Sequence, residues 1–176
     1  MNRIMFETER LCLKKLKKSD LTTRYARWLN EAEVKKYLES RFTRHTPATL
    51  YKYWQGQERD KNCLFLGIFL KDQLRHIGNI KLHRIDRRHR NAELSLMIGE
   101  KSCWGNGYAH EAIRRLLNHA FNKLKLHKVY ARIYSVNKNS IKAFKRAGFL
   151  FDGIRKEHYF FGNKFVDEVC MSVISP

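Results

Sequence analysis

No apolar run in this chain approaches the ~18 residues that would suggest a membrane span, and residues 1–7 lack the apolar core of a secretory leader. A soluble, cytoplasmic protein is the expectation. Cysteine is sparse: Cys12, Cys63, Cys103 and Cys170 stand far apart, with no Cys-x-x-Cys pair and no Cys/His cluster at zinc spacing. Buried or idle thiols are expected rather than a disulfide framework or a zinc site. The eight histidines form no His-x-x-x-His pair, so no metal is expected. Repeats, low-complexity tracts and linkers are also missing, and a chain of 176 residues suits one domain over 1–176 with a conventional core.

Negative charge is the scarce sign. Seventeen Asp and Glu face 36 Lys and Arg, a formal net charge of +19. Such a field draws in polyanions: nucleic acid, an anionic membrane surface, an acidic protein or a phosphorylated small molecule. Charge alone does not choose among them. The densest basic cluster, residues 84–90, falls between two strand-like segments and reads as a solvated hairpin tip.

What is present is a folded protein's composition, 43% apolar and 12% aromatic. Leu11 and Leu13 alternate with polar neighbours as a first strand. Ser19-Asp20 is an N-cap signal for a helix carrying Leu21, Tyr25, Trp28 and Leu29, closed at Asn30-Glu31. Thr46-Pro47 opens a second helix with Leu50, Tyr51 and Trp54 on one side. These aromatics suit either the core or the wall of a substrate pocket. Residues 63–70, 74–85 and 92–98 read as an antiparallel meander. In its last strand Ala92, Leu94, Leu96 and Ile98 share one face, while Glu93, Ser95 and Met97 share the other.

The run Cys103-Trp104-Gly105-Asn106-Gly107-Tyr108-Ala109-His110-Glu111-Ala112 follows. Two closely spaced glycines allow a close backbone approach, and a helix start presents unpaired N–H groups with partial positive charge. That combination is a phosphate cradle. From Ala109 the apolar residues Ala112, Ile113, Leu116, Leu117, Ala120, Phe121 and Leu124 keep the helical period, and a strand over 128–134 completes a parallel crossover. The cradle then lies at the carboxyl end of the Glu93 strand, where open α/β sheets bind ligands. Asn137 to Ser140 caps a short helix carrying Ile141, Phe144 and Ala147, ended by Gly148. Two last strands flank a turn at 161–164.

These features, taken in order, resemble the GNAT superfamily of acetyl-CoA-dependent N-acetyltransferases, nearest its Rim-type branch of ribosomal-protein N-terminal acetyltransferases. The motifs are Thr8-Glu9-Arg10-Leu11-Cys12-Leu13, Trp28-Leu29-Asn30, Ala92-Glu93-Leu94, the run from Trp104 to Ala112, Asn137-x-x-Ser140 and Ala147-Gly148-Phe149. The resemblance implies an α/β (α+β) fold: a mixed, mostly antiparallel twisted sheet of about seven strands, flanking helices and a central β-α-β cofactor unit.

In that family the loop Arg/Gln-x-x-Gly-x-Gly/Ala holds the CoA pyrophosphate. The resemblance places Trp104, Gly105, Asn106, Gly107, Tyr108 and Ala109 there, with Trp104 in the first position as in the Rim branch. It also implies that the backbone of Met97 and Ile98 pairs with the pantetheine arm, and that Asn137 contacts the cofactor. Acetyl-CoA is the implied co-substrate, with no metal. Glu93 matches a strand glutamate used as general base. Ser140 is the implied proton donor to the CoA thiolate, because Phe144 stands where many relatives have a tyrosine. Some relatives place a glutamate at the position of Tyr159; alternation puts Glu157 on the same face, as a reserve base.

Three readings of the function remain. The segments 37–46 and 76–80 look like GNAT proteins of surface-polysaccharide synthesis, which favours a small or sugar-linked amine such as a nucleotide amino sugar. A protein N-terminus is the second, with the charge docking the enzyme on the ribosome. The third is a non-catalytic nucleic-acid-binding protein using the alternating Tyr130, Arg132 and Tyr134.

Overall fold

In a computed structural model of the chain, residues 4–176 are described. Their strands are β1 (Ile4–Glu7), β2 (Leu11–Lys14), β3 (Leu64–Leu70), β4 (His76–Asp86), β5 (Asn91–Ile98), β6 (Lys128–Tyr134), β7 (Leu150–Phe161) and β8 (Lys164–Ile174). They form one eight-stranded sheet in the order β1-β2-β3-β4-β5-β6-β8-β7. Every neighbouring pair is antiparallel except β5 and β6. The expected seven strands thus become eight. The addition, β1, is a four-residue piece too short for alternation to reveal, and its pairing with β2 defines it.

The helices are α1 (Thr23–Asn30), α2 (Ala32–Lys35), α3 (Pro47–Arg59), α4 (Tyr108–Asn122) and α5 (Lys138–Arg146). They cover both sheet faces. On one, Ala112, Ile113, Leu116, Leu117 and Ala120 of α4 pack with Leu82, Leu94, Val129 and Ile133. On the other, Tyr25, Trp28 and Leu29 of α1 and Leu50 of α3 pack with Phe65 and Phe69. β3 is apolar throughout because it is buried from both sides: Phe65 and Phe69 face α1 and α3, while Leu66, Ile68 and Leu70 face α4.

Helix starts follow side-chain capping. The Thr46 hydroxyl accepts the Thr49 N–H at 3.2 Å and opens α3 where expected. The Ser19-Asp20 signal opens a 3-10 turn over Lys18–Asp20 instead, and α1 begins later, where the Thr22 hydroxyl accepts the Tyr25 N–H. The basic tip also departs from a purely solvated hairpin, since Arg84 turns back onto Glu93 at 3.4 Å. In β7 the alternation that joined Glu157 to Tyr159 is broken. Arg155 faces Glu168 and Tyr159 faces Val166, so four residues of β7 advance against two of β8. Glu157, at φ 48°, lies in this bulge, exposed, with its N–H donated to Asp167.

Candidate active site

The site begins where the parallel pair separates. β5 and β6 are paired only at Asn91, Ala92 and Glu93 with Lys128, Val129 and Tyr130. Beyond that point β5 continues on β4, and β6 continues on β8. Residues 94–98 and 131–134 therefore present strand edges to a gap inside the sheet. An unpaired strand edge accepts an extended ligand bearing amide groups as an added strand. Met97 and Ile98 lie on this edge, and the Ile98 carbonyl already accepts the Trp104 indole N–H at 2.8 Å.

The glycine loop stands at the mouth of the gap. Gly105 and Gly107 take φ 78° and 81°, a left-handed conformation that costs residues with a Cβ. No atom lies within 4 Å of where a Gly105 Cβ would be, so conformation rather than space requires glycine there. Gly107 is the N-cap of α4, which starts at Tyr108, one residue earlier than expected, with no side chain capping it. The first N–H groups of α4 are thereby left for a ligand. Trp104 is 43% exposed at the loop's entry, and the Asn106 amide holds the Ser102 carbonyl.

The loop is braced from the turn between β1 and β2. Arg10 donates from Nη1 to the Asn106 carbonyl at 3.0 Å and from Nε to Glu111 at 2.7 Å, with its guanidinium 4.7 Å from the Tyr108 ring centroid. Spacing did not reveal this role, because the partners are about a hundred positions away in the chain.

Asn137 and Ser140 lie at the start of α5. The cap is Asn137, whose Oδ1 accepts the Ser140 N–H at 3.2 Å. The half-buried Ser140 hydroxyl takes no part in it. Phe144 is buried against Phe149, ring centroids 4.9 Å apart.

Glu93 points to the sheet face covered by α1 and α3, as alternation predicts, but it is not a free carboxylate. Arg132 clamps both oxygens from Nε and Nη2, at 3.1 and 3.0 Å, and Arg84 adds a third cationic contact. Directly across on β4 stands His83, with Nε2 3.9 Å from Glu93 and 3.4 Å from the Ser95 hydroxyl. Burial, together with Lys81, Arg84 and Arg132, pushes the His83 pKa down to about 3, so its imidazole is neutral near pH 7.

A second carboxylate went unrecognised in the sequence. Glu168 of β8 is fully buried opposite Tyr134 of β6. It accepts the Tyr159 hydroxyl and pairs with Arg155 at 3.1 Å. Tyr159 stacks on Tyr134, centroids 3.9 Å apart. The Tyr134 hydroxyl donates to Glu39 at 2.8 Å and accepts from Arg41 at 2.5 Å. Burial, reinforced by Glu39, pushes Tyr134 up to about 12; burial and Glu168 raise Tyr159 as well. Two members of the proposed base-stacking stripe, Arg132 and Tyr134, are thus engaged within the protein. Beside them Tyr37 and Phe161 stack at 5.4 Å, with Lys36 within 6 Å of both rings. No helix is long and apolar enough to cross a membrane among the described residues.

Comparison with known proteins agrees with this geometry. The Acetyltransferase (GNAT) domain family matches residues 10–150. The N-acetyltransferase YoaA of Bacillus subtilis is 24% identical across 98% of this chain and 97% of its own. The probable N-acetyltransferase YjcK of the same organism is 30% identical, covering 71% of this chain and 68% of its own. Among solved structures, spermidine N-acetyltransferase from Vibrio cholerae in complex with CoA and spermine superposes with a TM-score of 0.85 at 23% identity, covering 96% and 97% of the two chains.

Proposed function

This chain belongs to the GNAT acetyltransferase family and is an acetyl-CoA-dependent N-acetyltransferase; we propose that its acceptor is the amino group of a nucleotide-linked amino sugar. The observation that carries this reading is the cluster of cations and aromatic rings beside the gap: Lys36 with Tyr37 and Phe161, and Arg41 4.2 Å from the ring centroid of the exposed Phe42. A nucleotide diphosphate needs cationic donors for its phosphates and a π surface for its base. A polyamine, as bound by the Vibrio relative, would approach against a net charge of +19.

In the proposed reaction the pyrophosphate of acetyl-CoA sits on the loop from Trp104 to Ala109, and its pantetheine arm lies along the β5 edge at Met97 and Ile98. Asn137 lies beside the same gap. The acceptor ammonium gives a proton to Glu93, directly or through water, and the neutral amine attacks the thioester carbonyl. As the amide C–N bond forms and the C–S bond breaks, the thiolate takes the Ser140 hydroxyl proton, and the surplus proton on the new amide nitrogen passes to the Ser140 oxygen, directly or through water. No covalent enzyme intermediate is needed. Glu93 can receive the proton only when its clamp loosens, and the partly exposed Arg132 permits that more readily than a sealed pair would. Glu157, exposed in its bulge, is poorly placed as a reserve base.

The tryptophan at the loop's first position, shared with the Rim branch, favours a second reading, a protein N-terminus. Thiol release from acetyl-CoA, measured against nucleotide amino sugars, free amino sugars, polyamines and N-terminal peptides, separates the two. The expected outcome is the highest kcat/KM for a nucleotide amino sugar. Arg41→Ala should raise the acceptor KM by about tenfold, the effect of one charge-assisted contact, and leave the acetyl-CoA KM unchanged. A preference for a peptide or a polyamine would refute the proposal.

A further inference from the structure

We propose that Arg10 is the positioning residue of the cofactor loop: its guanidinium holds the Asn106 carbonyl and cancels the Glu111 charge, so that the start of α4 can receive a pyrophosphate. The inference rests on the reading of that loop as the CoA pyrophosphate cradle. Arg10 spans three groups with one rigid fork. Nε and Nη2 both reach Glu111 Oε2 at 2.7 Å, Nη1 reaches the Asn106 carbonyl at 3.0 Å, and Cζ lies 4.7 Å from the Tyr108 ring centroid. Asn106 lies between the two left-handed glycines, the least constrained stretch of the loop. Holding its carbonyl fixes how the peptide units on either side are turned, and with them the N–H groups of the cradle.

The electrostatic part is equally specific. Glu111 lies in the first turn of α4, where a carboxylate suits the helix dipole but opposes an incoming phosphate. Burial pushes its carboxyl up, yet hydrogen bonds from the Thr8 hydroxyl and from the Arg10 backbone and side chain outweigh burial and hold it below the usual carboxylate range. The carboxylate is therefore ionised beside the cradle, and its largest neutralising partner is Arg10. Lysine at position 10 would keep the charge. A single ammonium cannot span Glu111 and Asn106 while covering Tyr108.

The test compares acetyl-CoA with S-acetylpantetheine, a donor with the same thioester and arm but no pyrophosphate. For the wild-type protein kcat/KM should be far higher with acetyl-CoA. In Arg10→Lys it should fall by about tenfold with acetyl-CoA, through KM rather than kcat, and stay unchanged with S-acetylpantetheine. Arg10→Ala should fall further, and Glu111→Gln added to Arg10→Ala should recover part of the loss by removing the bare carboxylate. A merely structural Arg10 would lower both donors together. If the wild type discriminates between the donors and Arg10→Lys keeps that discrimination in full, the role of Arg10 is refuted while the cradle stands. If the wild type does not discriminate, the cradle reading fails first.

Discussion

Replacing Glu93 by glutamine separates a base from a structural ion pair. The wild-type carboxylate is 7% exposed and receives two guanidinium N–H groups of Arg132, itself 24% exposed, at 3.1 and 3.0 Å. Glutamine keeps one oxygen for one of these bonds and turns an NH2 donor toward the other. Removing one partner of a buried pair costs about 3–5 kcal/mol. The partial exposure of Arg132 lets it regain water, so the lower end, about 3 kcal/mol, is expected. For a chain of this length that lowers Tm by roughly 10 °C. Loss of the base should lower kcat by about 10²–10⁴-fold per folded molecule. Urea unfolding supplies the folded fraction, and thiol release well below the melting temperature supplies kcat. The residual rate of Glu93→Gln should climb with pH, because solution then deprotonates the amine in place of the enzyme. If the variant is destabilised but retains full kcat where chemistry limits the rate, Glu93 is only the anchor of Arg132, and the catalytic assignment is wrong.

Two further outcomes follow from packing and burial. His76 is buried among Phe69, Tyr25 and Trp28, with Nε2 on the Gly78 carbonyl and Asn79; burial lowers its pKa from 6.5 to about 4. Between those values the unfolded chain binds a proton that the folded one refuses, so stability falls as pH drops. The loss is about 3 kcal/mol from His76 alone. Urea midpoints between pH 7 and pH 4 should show this decline, and His76→Phe should flatten it despite a lower starting stability; an unchanged slope would refute the assignment. In Gly78→Ala the new Cβ would lie 2.2 Å from the Met97 carbonyl oxygen and 2.9 Å from the Ile98 Cα, both backbone atoms. β5 must then shift, at about 3 kcal/mol of stability, and the acetyl-CoA KM should rise if the displaced edge holds the cofactor as proposed; an unchanged KM would argue against that edge.

Much of the architecture was legible because local rules act over a few residues. Alternation placed Glu93 on the correct face, the helical period placed the buried side of α4, and the glycine pair marked the turn before it. Each of these follows from backbone geometry that a short window already contains. Where a local signal was overridden, the sequence misled. The Ser19-Asp20 signal opens only a 3-10 turn, and Thr22 caps α1 ahead of the buried Tyr25, Trp28 and Leu29. In β7 alternation failed at a bulge whose extra residues are defined only by their partners on β8.

The sequence by itself thus determined the donor half of this enzyme, since the strand, glycine loop and helix that would form the cradle are contiguous in the chain. Tertiary structure decided the rest. It brought Arg132 onto Glu93, Arg10 onto Asn106 and Glu111, and Glu39, Arg41 and Tyr159 around Tyr134 and Glu168. Except for Tyr159 and Glu168, which are joined across one hairpin, these partners are separated by tens of residues or more. Their meeting depends on strand order and register rather than on spacing. A carboxylate's chemistry depends on which cations reach it, and that is a property of the folded sheet.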